Sequence, residues 1–313
     1  MIADRAGQLL AALLAEAAMG YPAWLCSAIG HPVSWIGALI AGLDRAWNQG
    51  AALRGRGQRR ALGAMLLLVI TGVAAGAGWA ITVAAGTGWG VMALVLIATT
   101  GLAQRSLHDH VAAVARPLLA GDLAAARTAV AAIVGRDTLA LDESGVAVAA
   151  IESLAESFCD GVLAPACWFL VAGLPGLLVC KAINTADSMI GHRDERHGDF
   201  GWAAARADDV IMLLPARLSG VRVAGAGGSG LATMWRDAKK HASPNGGWPE
   251  AAMAGALGRQ LGGAVAYGGE PACRALLGDG PGPMAADLAR ALRVYHRACG
   301  LLWVLVGGVL WLR

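Results

Sequence analysis

Residues 61–104 read ALGAMLLLVITGVAAGAGWAITVAAGTGWGVMALVLIATTGLAQ and contain no Asp, Glu, Lys or Arg. A helix crosses the hydrocarbon layer with about 20 apolar residues. These 44 residues therefore suffice for two crossings, with the turn at Gly86-Thr87-Gly88. The whole chain agrees with this stretch. Of its 313 residues 57% are hydrophobic and 15% charged, against about 25% charged in a soluble domain, and the mean hydropathy is +0.55. Disordered chains are poor in apolar residues, so disorder is excluded. Six cysteines are too sparse for a disulfide-stapled module; none has CxxC spacing, and they read as buried or lipid-facing thiols. A net charge of +3 without a concentrated basic stripe excludes a nucleic-acid partner.

Working outward, Arg45, Arg54, Arg56, Arg59 and Arg60 precede the uncharged stretch, which places their loop in the cytoplasm. Residues 6–30 read as a first membrane helix rather than a signal peptide, because Glu16 breaks the apolar run and more apolar sequence follows at once. Pro22, His31 and Pro32 interrupt Ala17–Leu43, which reads as one short span and then an amphipathic segment. Residues 161–183 hold Pro165 and Gly173-Leu174-Pro175-Gly176. A full crossing there would strand the polar residues after Lys181 outside, so the expected path dips in and returns. Residues 296–312 close the set, after spans near 61–84 and 86–104. The expected architecture is one all-α domain over residues 1–313. It is a multi-pass integral membrane protein with about four or five membrane helices and helical cytoplasmic segments. Its place is the cell (inner) membrane, with polar regions 105–160, 181–209 and 235–257 on the cytoplasmic side.

Those polar regions hold the candidate chemistry. Glu152, Glu156 and Asp160 recur every four residues and form one acidic stripe on a helix. Like charges at that spacing repel, so beside a membrane they need a cation or an arginine partner; Mg²⁺, an oxygen-seeking ion that bridges carboxylates to phosphates, fits the first option. Asn184 and Asp187 share a helix face, and His192 to Asp199 follows as a charged run. Arg206 sits beside Asp208 and Asp209. Mixed charges of this kind suit an anionic substrate held through a metal and arginines. His108 and His110 are two apart and point away from each other on a helix. Ser243-Pro244-Asn245-Gly246-Gly247-Trp248-Pro249-Glu250 reads as a shaped loop that approaches a ligand, with an exposed Trp and a carboxylate. Gly225-Ala226-Gly227-Gly228-Ser229-Gly230 matches the dinucleotide fingerprint only in letters, since no strand precedes it. Walker A, GxSxG and HExxH motifs are absent.

Longer runs carry a resemblance. Ile151-Glu152-Ser153-Leu154-Ala155-Glu156-Ser157-Phe158 with Asp160-Gly161-Val162 and Ala164-Pro165 resembles the CobD/CbiB family, the adenosylcobinamide-phosphate synthases of cobalamin biosynthesis. The likeness continues through Lys181-Ala182-Ile183-Asn184-Thr185-Ala186-Asp187-Ser188-Met189-Ile190-Gly191, Phe200-Gly201-Trp202, Arg206, Asp208-Asp209, Pro215-Ala216-Arg217-Leu218 and Ser243 to Leu257. Gly30-His31-Pro32-Val33 looks like the family's HPV motif. The chain departs from the family at Tyr21, where an acid is common, and at Val148, where an arginine is common.

The resemblance implies ATP-dependent amide formation between adenosylcobyric acid and (R)-1-aminopropan-2-ol or its O-phosphate, with the lipid bilayer and other cobalamin-pathway proteins as surroundings. ATP and Mg²⁺ are the implied co-substrate and cofactor. Glu152, Glu156, Asp160 and Asp187 are the implied metal ligands. Arg136, Arg193 and Arg206 are implied phosphate or oxyanion clamps, and His192, Asp208 or Asp209 the base for the attacking amine. Trp202 and Trp248 are implied stacking faces for corrin or adenine. His31, Asp137, Asn184, Ser243, Asn245 and Glu250 complete the implied substrate contacts. Two other classes stay open. One is a corrinoid transporter or assembly scaffold, which would place charges along a membrane path. The other is a phosphotransferase using the same metal–carboxylate logic.

Overall fold

The computed structural model describes residues 2–49, 54–192 and 194–311. In chain order the helices are α1 (Ile2–Met19), α2 (Ala23–Ile29), α3 (Pro32–Trp47), α4 (Arg56–Ala85), α5 (Trp89–Thr99), α6 (Gln104–Leu119), α7 (Leu123–Ala131), α8 (Glu143–Phe158), α9 (Ala164–Ile190), α10 (Trp202–Ile211), α11 (Leu213–Gly227), α12 (Leu231–Asp237), α13 (Gly247–Leu257) and α14 (Ala285–Leu310). One antiparallel hairpin, β1 (Leu261–Tyr267) and β2 (Glu270–Leu277), lies between α13 and α14. Among the described residues four helices are long and apolar enough to cross a membrane, or five if the broken pair α10–α11 counts as one. The chain is thus an all-α multi-pass membrane protein with one small hairpin.

The uncharged stretch behaves as its composition dictates. Gly86 and Gly88 take positive φ and separate α4 from α5, as the turn at Gly86-Thr87-Gly88 requires. Elsewhere the boundaries differ from expectation. Residues 6–30 are not one helix, because Gly20 at φ 61° and the Pro22 N-cap end α1 and start α2. The apolar candidate span near the N-terminus is Ala23–Trp47. In 161–183 a π-helical turn, Cys159–Leu163, runs into α9, and Gly173 at φ 68°, ψ −152° interrupts that helix ahead of Pro175. The C-terminal helix begins at Ala285, well before residue 296.

Contacts divide the chain into two compact units. The first comprises Met1–Ala103, Ala164–Met212 and Val306–Arg313. Its core gathers Ile40, Leu66, Ile70, Ala186, Ile190, Phe200 and Ala204, held by close van der Waals packing as between helices in a membrane. Two glycines let backbones meet: a Cβ on Gly63 would lie 1.7 Å from the Phe200 carbonyl oxygen, and one on Gly78 would lie 2.6 Å from Pro175 Cα. Trp24, Leu68, Trp79, Val83 and Trp89 are exposed on α2, α4 and α5, a surface that suits lipid rather than water. The arginine loop is tied down by the charged run. Arg60 pairs with Asp199 at 3.0 Å, Arg59 donates to the Glu195 carbonyl at 2.8 Å, and Arg196 pairs with buried Asp44.

The second unit comprises Gln104–Leu163 and Leu213–Leu305. Its centre is α8 against α13, whose residues from Gly247 to Ala254 are all buried. The Ala- and Gly-rich sequence of α13 permits close approach: a Cβ on Gly220 of α11 would lie 2.8 Å from the Trp248 carbonyl oxygen. Tyr295 packs edge-on against Phe158 with ring centroids 5.8 Å apart, and its hydroxyl donates to the Gln104 carbonyl at 2.8 Å.

Candidate active site

All principal side chains of this site belong to the second unit. Helix α8 is N-capped by Asp142, whose carboxylate accepts from Gly145 N–H at 2.7 Å. Two turns further on, Glu152 points into the core and Glu156, one turn later, is exposed. Asp160 falls in the π turn and is half-buried. A π turn carries more than four residues, so Asp160 leaves the row that ideal helical spacing assigns to it.

Glu152 is an ionic hub. Its Oε2 accepts from Arg136 Nη2 at 2.5 Å and lies 3.3 Å from Arg274 Nη1. Its Oε1 accepts from Gly262 N–H at 2.9 Å. The hairpin supplies two of these groups. Gly268 and Gly269 both take positive φ and make the two-residue link from β1 to β2 that such φ values favour. An irregularity between Leu261 and Gly263 turns Gly262 N–H out of the ladder, and Arg274, opposite Gly263, reaches inward.

Arg274 then joins Glu152 to the shaped loop. Its Nη2 donates to Glu250 Oε1 at 2.9 Å and to His241 Nε2 at 2.8 Å. A guanidinium only donates, so Nε2 carries the lone pair of a neutral imidazole. Nδ1 faces the Ser243 backbone, 3.0 Å from its nitrogen and 3.4 Å from its carbonyl oxygen. Burial pushes the His241 pKa below its ordinary value, and Arg274 reinforces the shift. Glu250 moves the other way. It is fully buried, and burial, reinforced by Glu152 and Glu156, raises its carboxyl well above the usual range. Its Oε2 has no hydrogen-bond partner among the described residues.

The loop itself is held from within. Ser243 Oγ accepts from Asn245 N–H and Gly246 N–H at 3.2 Å each, and Trp248 Nε1 donates to the Pro244 carbonyl at 3.1 Å. The Arg217 guanidinium lies 4.6 Å over the Trp248 ring and donates to Asn245 Oδ1 at 3.3 Å. Trp235 meets Trp248 edge-on at 5.0 Å. Trp248 is buried, so it braces the loop instead of presenting the exposed stacking face that the sequence suggested.

The structure thus brings together Arg136, Glu152, Glu156, Ser243, Asn245, Trp248 and Glu250. Asp137 lies beside Arg136 but anchors the hairpin: its two carboxylate oxygens accept from Gly268 N–H at 3.2 Å and Gly269 N–H at 2.7 Å. His31, Asn184, Asp187, His192, Trp202, Arg206, Asp208 and Asp209 belong to the first unit. There Asn184 Nδ2 lies 3.5 Å from Asp208 Oδ1, Arg206 pairs with Asp209 at 3.1 Å, and Arg60 lies 5.3 Å over the Trp202 ring. His31 N-caps α3 by accepting from Val33 N–H at 3.2 Å, with Pro32 behind it, so the HPV run is a helix start. The carboxylate of Asp187 packs against Gly191. His192 is exposed, and Arg193 lies outside the described residues. His108 and His110 diverge on α6; His108 meets His296 at 3.0 Å.

Among the described residues no group of three or more His, Cys, Asp or Glu is placed to hold a metal. The arginine option prevails at Glu152, which is neutralised by Arg136 and Arg274. His241, Arg274 and Arg217 escaped the sequence reading as members of this site. The paired glycines 262–263 and 268–269 around an otherwise strand-compatible run were the available signal for Arg274.

Fold and site together define a multi-pass helical membrane protein with a buried guanidinium–carboxylate cluster, framed by the ESLAE-type helix and the SPNGGWPE-type loop. The chain belongs to the CobD/CbiB family: the model described as "CobD/Cbib protein" matches residues 9–295. It is 49% identical to "Cobalamin biosynthesis protein CobD" of Rhodobacter capsulatus over 313 residues, covering 98% of each chain. It is 43% identical to the protein of that name from Rhizobium meliloti, covering 94% and 93%, and 42% identical to that from Geobacter metallireducens, covering 95% and 94%. No solved structure matches the chain.

Proposed function

We propose that this protein acts in cobalamin biosynthesis as an ATP-dependent ligase. It joins the free propionate of adenosylcobyric acid to (R)-1-aminopropan-2-ol or its O-phosphate. The observation that carries this reading is one cluster in which Glu152 of the Ile151–Phe158 run and Glu250 of the Ser243–Leu257 run meet Arg136, Arg274 and His241. Relatives spanning nearly the whole chain bear a cobalamin-biosynthesis name, and the ligation chemistry is our extension of it.

Amide formation in water is uphill, so the carboxylate needs a better leaving group. The propionate oxygen attacks the terminal phosphorus of ATP, releasing ADP and giving an acyl phosphate. The amine then attacks the acyl carbon and expels inorganic phosphate. Every reactant carries anionic oxygen, and Arg274, side chain 19% exposed between buried carboxyl groups, is placed to hold such oxygen. Mg²⁺ would enter with ATP and neutralise charge on its phosphates. The attacking amine must shed a proton, and His241 Nε2 accepts it once Arg274 has turned from that lone pair to the reacting oxygens. The cell membrane holds the protein through its apolar helices, with the arginine loop and the site on the cytoplasmic side.

The test is direct. Purified protein in detergent is mixed with adenosylcobyric acid, Mg-ATP and either amine, and the corrinoid is followed by mass spectrometry. The reading expects an ATP-dependent mass gain equal to amide formation. No gain with either amine, from folded protein, overturns it.

A further inference from the structure

The first unit holds a crevice of about 570 Å³ between α2–α3 on one side and α4, α5 and α9 on the other. Every residue lining it except Tyr21 belongs to a segment long and apolar enough to cross a membrane. Among the described residues no Asp, Glu, Lys, Arg or His lines it. The three lining side chains with a polar atom have spent it locally. The Tyr21 hydroxyl donates to the Gly30 carbonyl, Trp35 Nε1 to the Ile29 carbonyl and the Thr100 hydroxyl to the Ile97 carbonyl, each at 2.8 Å. Pockets for polar ligands keep a few convergent polar groups, and this one keeps none of these for a guest. Water does not settle in an apolar space that offers it no hydrogen bond, and packed proteins leave few voids larger than a water. The space calls for hydrocarbon.

The neighbouring helices show the same gap. Only 6% of the apolar window in Ala23–Trp47 is buried within the chain; α2 has no buried residue and α3 buries only Ile40 and Asp44. The rim identifies the source of the guest. Ile29, Trp35, Val73 and Leu96 line the crevice and are exposed, and Val73 lies near the middle of α4. At that depth of a span the surroundings are acyl chains.

We propose that this crevice seats one acyl chain of a membrane phospholipid, which completes the packing of α2–α3 against α4 and α5. At about 30 Å³ per water-sized group, the 570 Å³ takes roughly twenty methylenes, enough for one long chain and too little for a pair. Recognition is by the chain, so the headgroup is indifferent. The seat is independent of the ligase reading, since no member of the Glu152–Arg274 cluster lines it.

The experiment loads the detergent-purified full chain with dioleoyl phosphatidylcholine, phosphatidylglycerol or phosphatidylethanolamine. The sample is passed through lipid-free detergent and weighed by native mass spectrometry. One retained phospholipid per chain is expected, about equally for the three headgroups. Short-chain phosphatidylcholine should be retained at least tenfold less, because each lost methylene removes apolar contact. Ala77 lines the crevice and is exposed, so Ala77→Phe takes up the space and should cut retention at least tenfold. Ala80→Phe, exposed on the same helix but outside the lining, should leave retention unchanged. Melting curves establish that both variants fold, and the headgroup and chain-length series on the parent decides even where one does not. No retained lipid in the parent overturns the proposal. So does retention that follows headgroup charge, or equal retention by folded Ala77→Phe and the parent. A dimer of the chain that excludes lipid and that Ala77→Phe splits overturns it as well.

Discussion

Arg136 and Glu152, sixteen residues apart, form a buried ion pair with Nη2 donating to Oε2 at 2.5 Å. Removing one member of such a pair leaves the other charged and unmatched in the interior, at a cost of about 3–5 kcal/mol. Arg136→Met and Glu152→Leu are each expected to destabilise by that order, whereas the double variant loses less than the sum of the two. Thermal unfolding in detergent measures this cycle. Additive losses contradict the pairing.

Asp137 is a structural neighbour of that pair. Its carboxylate takes the two glycine N–H groups of the hairpin turn, and hydrogen bonds to a charged group contribute about 1.5–3 kcal/mol each. Asp137→Ala is expected to loosen the hairpin locally. Limited proteolysis should cut near Gly268-Gly269 faster in the variant than in the parent. Unchanged cleavage there refutes the anchoring role.

Two pH effects follow from the cluster. Glu250 has a raised pKa in the folded chain, so the folded state holds a proton that the unfolded state releases. That contribution is complete below the ordinary carboxylate range and is lost as pH rises through the raised value. Glu250's contribution to the melting temperature should therefore decline as pH rises from the ordinary carboxylate range towards the raised value, against the opposite contribution of His241, which grows as pH rises towards 6.5. Glu250→Gln, neutral throughout, should flatten the decline. His241 has a lowered pKa, and as a base it must be neutral. The acidic limb of the rate profile should thus lie below the ordinary imidazole value of 6.5. A limb at or above that value contradicts the assignment.

Gly63 tests the first unit. A Cβ there would fall 1.7 Å from the Phe200 carbonyl oxygen, and overpacking of this kind costs about 1–3 kcal/mol or more. Gly63→Ala should lower the melting temperature, while Gly72→Ala on the same helix, with open space around it, should not.

The legible parts of the fold were those with a one-dimensional signal. The charge-free run 61–104 marked α4, its glycine turn and α5, because hydrocarbon length and charge exclusion are local properties. The hairpin was not legible: glycines 262, 263, 268 and 269 break its alternation, and its strands are held by Asp137 and Glu152, more than a hundred residues away. The stripe of Glu152, Glu156 and Asp160 was legible as a pattern. Its meaning depended on Arg136 and Arg274, and on the π turn that displaces Asp160. The SPNGGWPE run was recognised as shaped, but burial of Trp248 and Glu250 reverses the exposure it suggested. His31, read as a substrate contact, caps α3, a role its place before Pro32 could have signalled.

The central claim places amide formation at the cluster that Arg274 organises. Its most direct measurement is the rate of ATP-dependent adenosylcobinamide or adenosylcobinamide-phosphate formation by the parent and by Arg274→Lys, both confirmed folded by their melting curves. Lysine keeps the charge but not the planar fork that spans Glu152 and Glu250. The account predicts a fall of about a hundredfold, equivalent to roughly 2.7 kcal/mol of barrier. An Arg274→Lys enzyme that works at the parent's rate contradicts it.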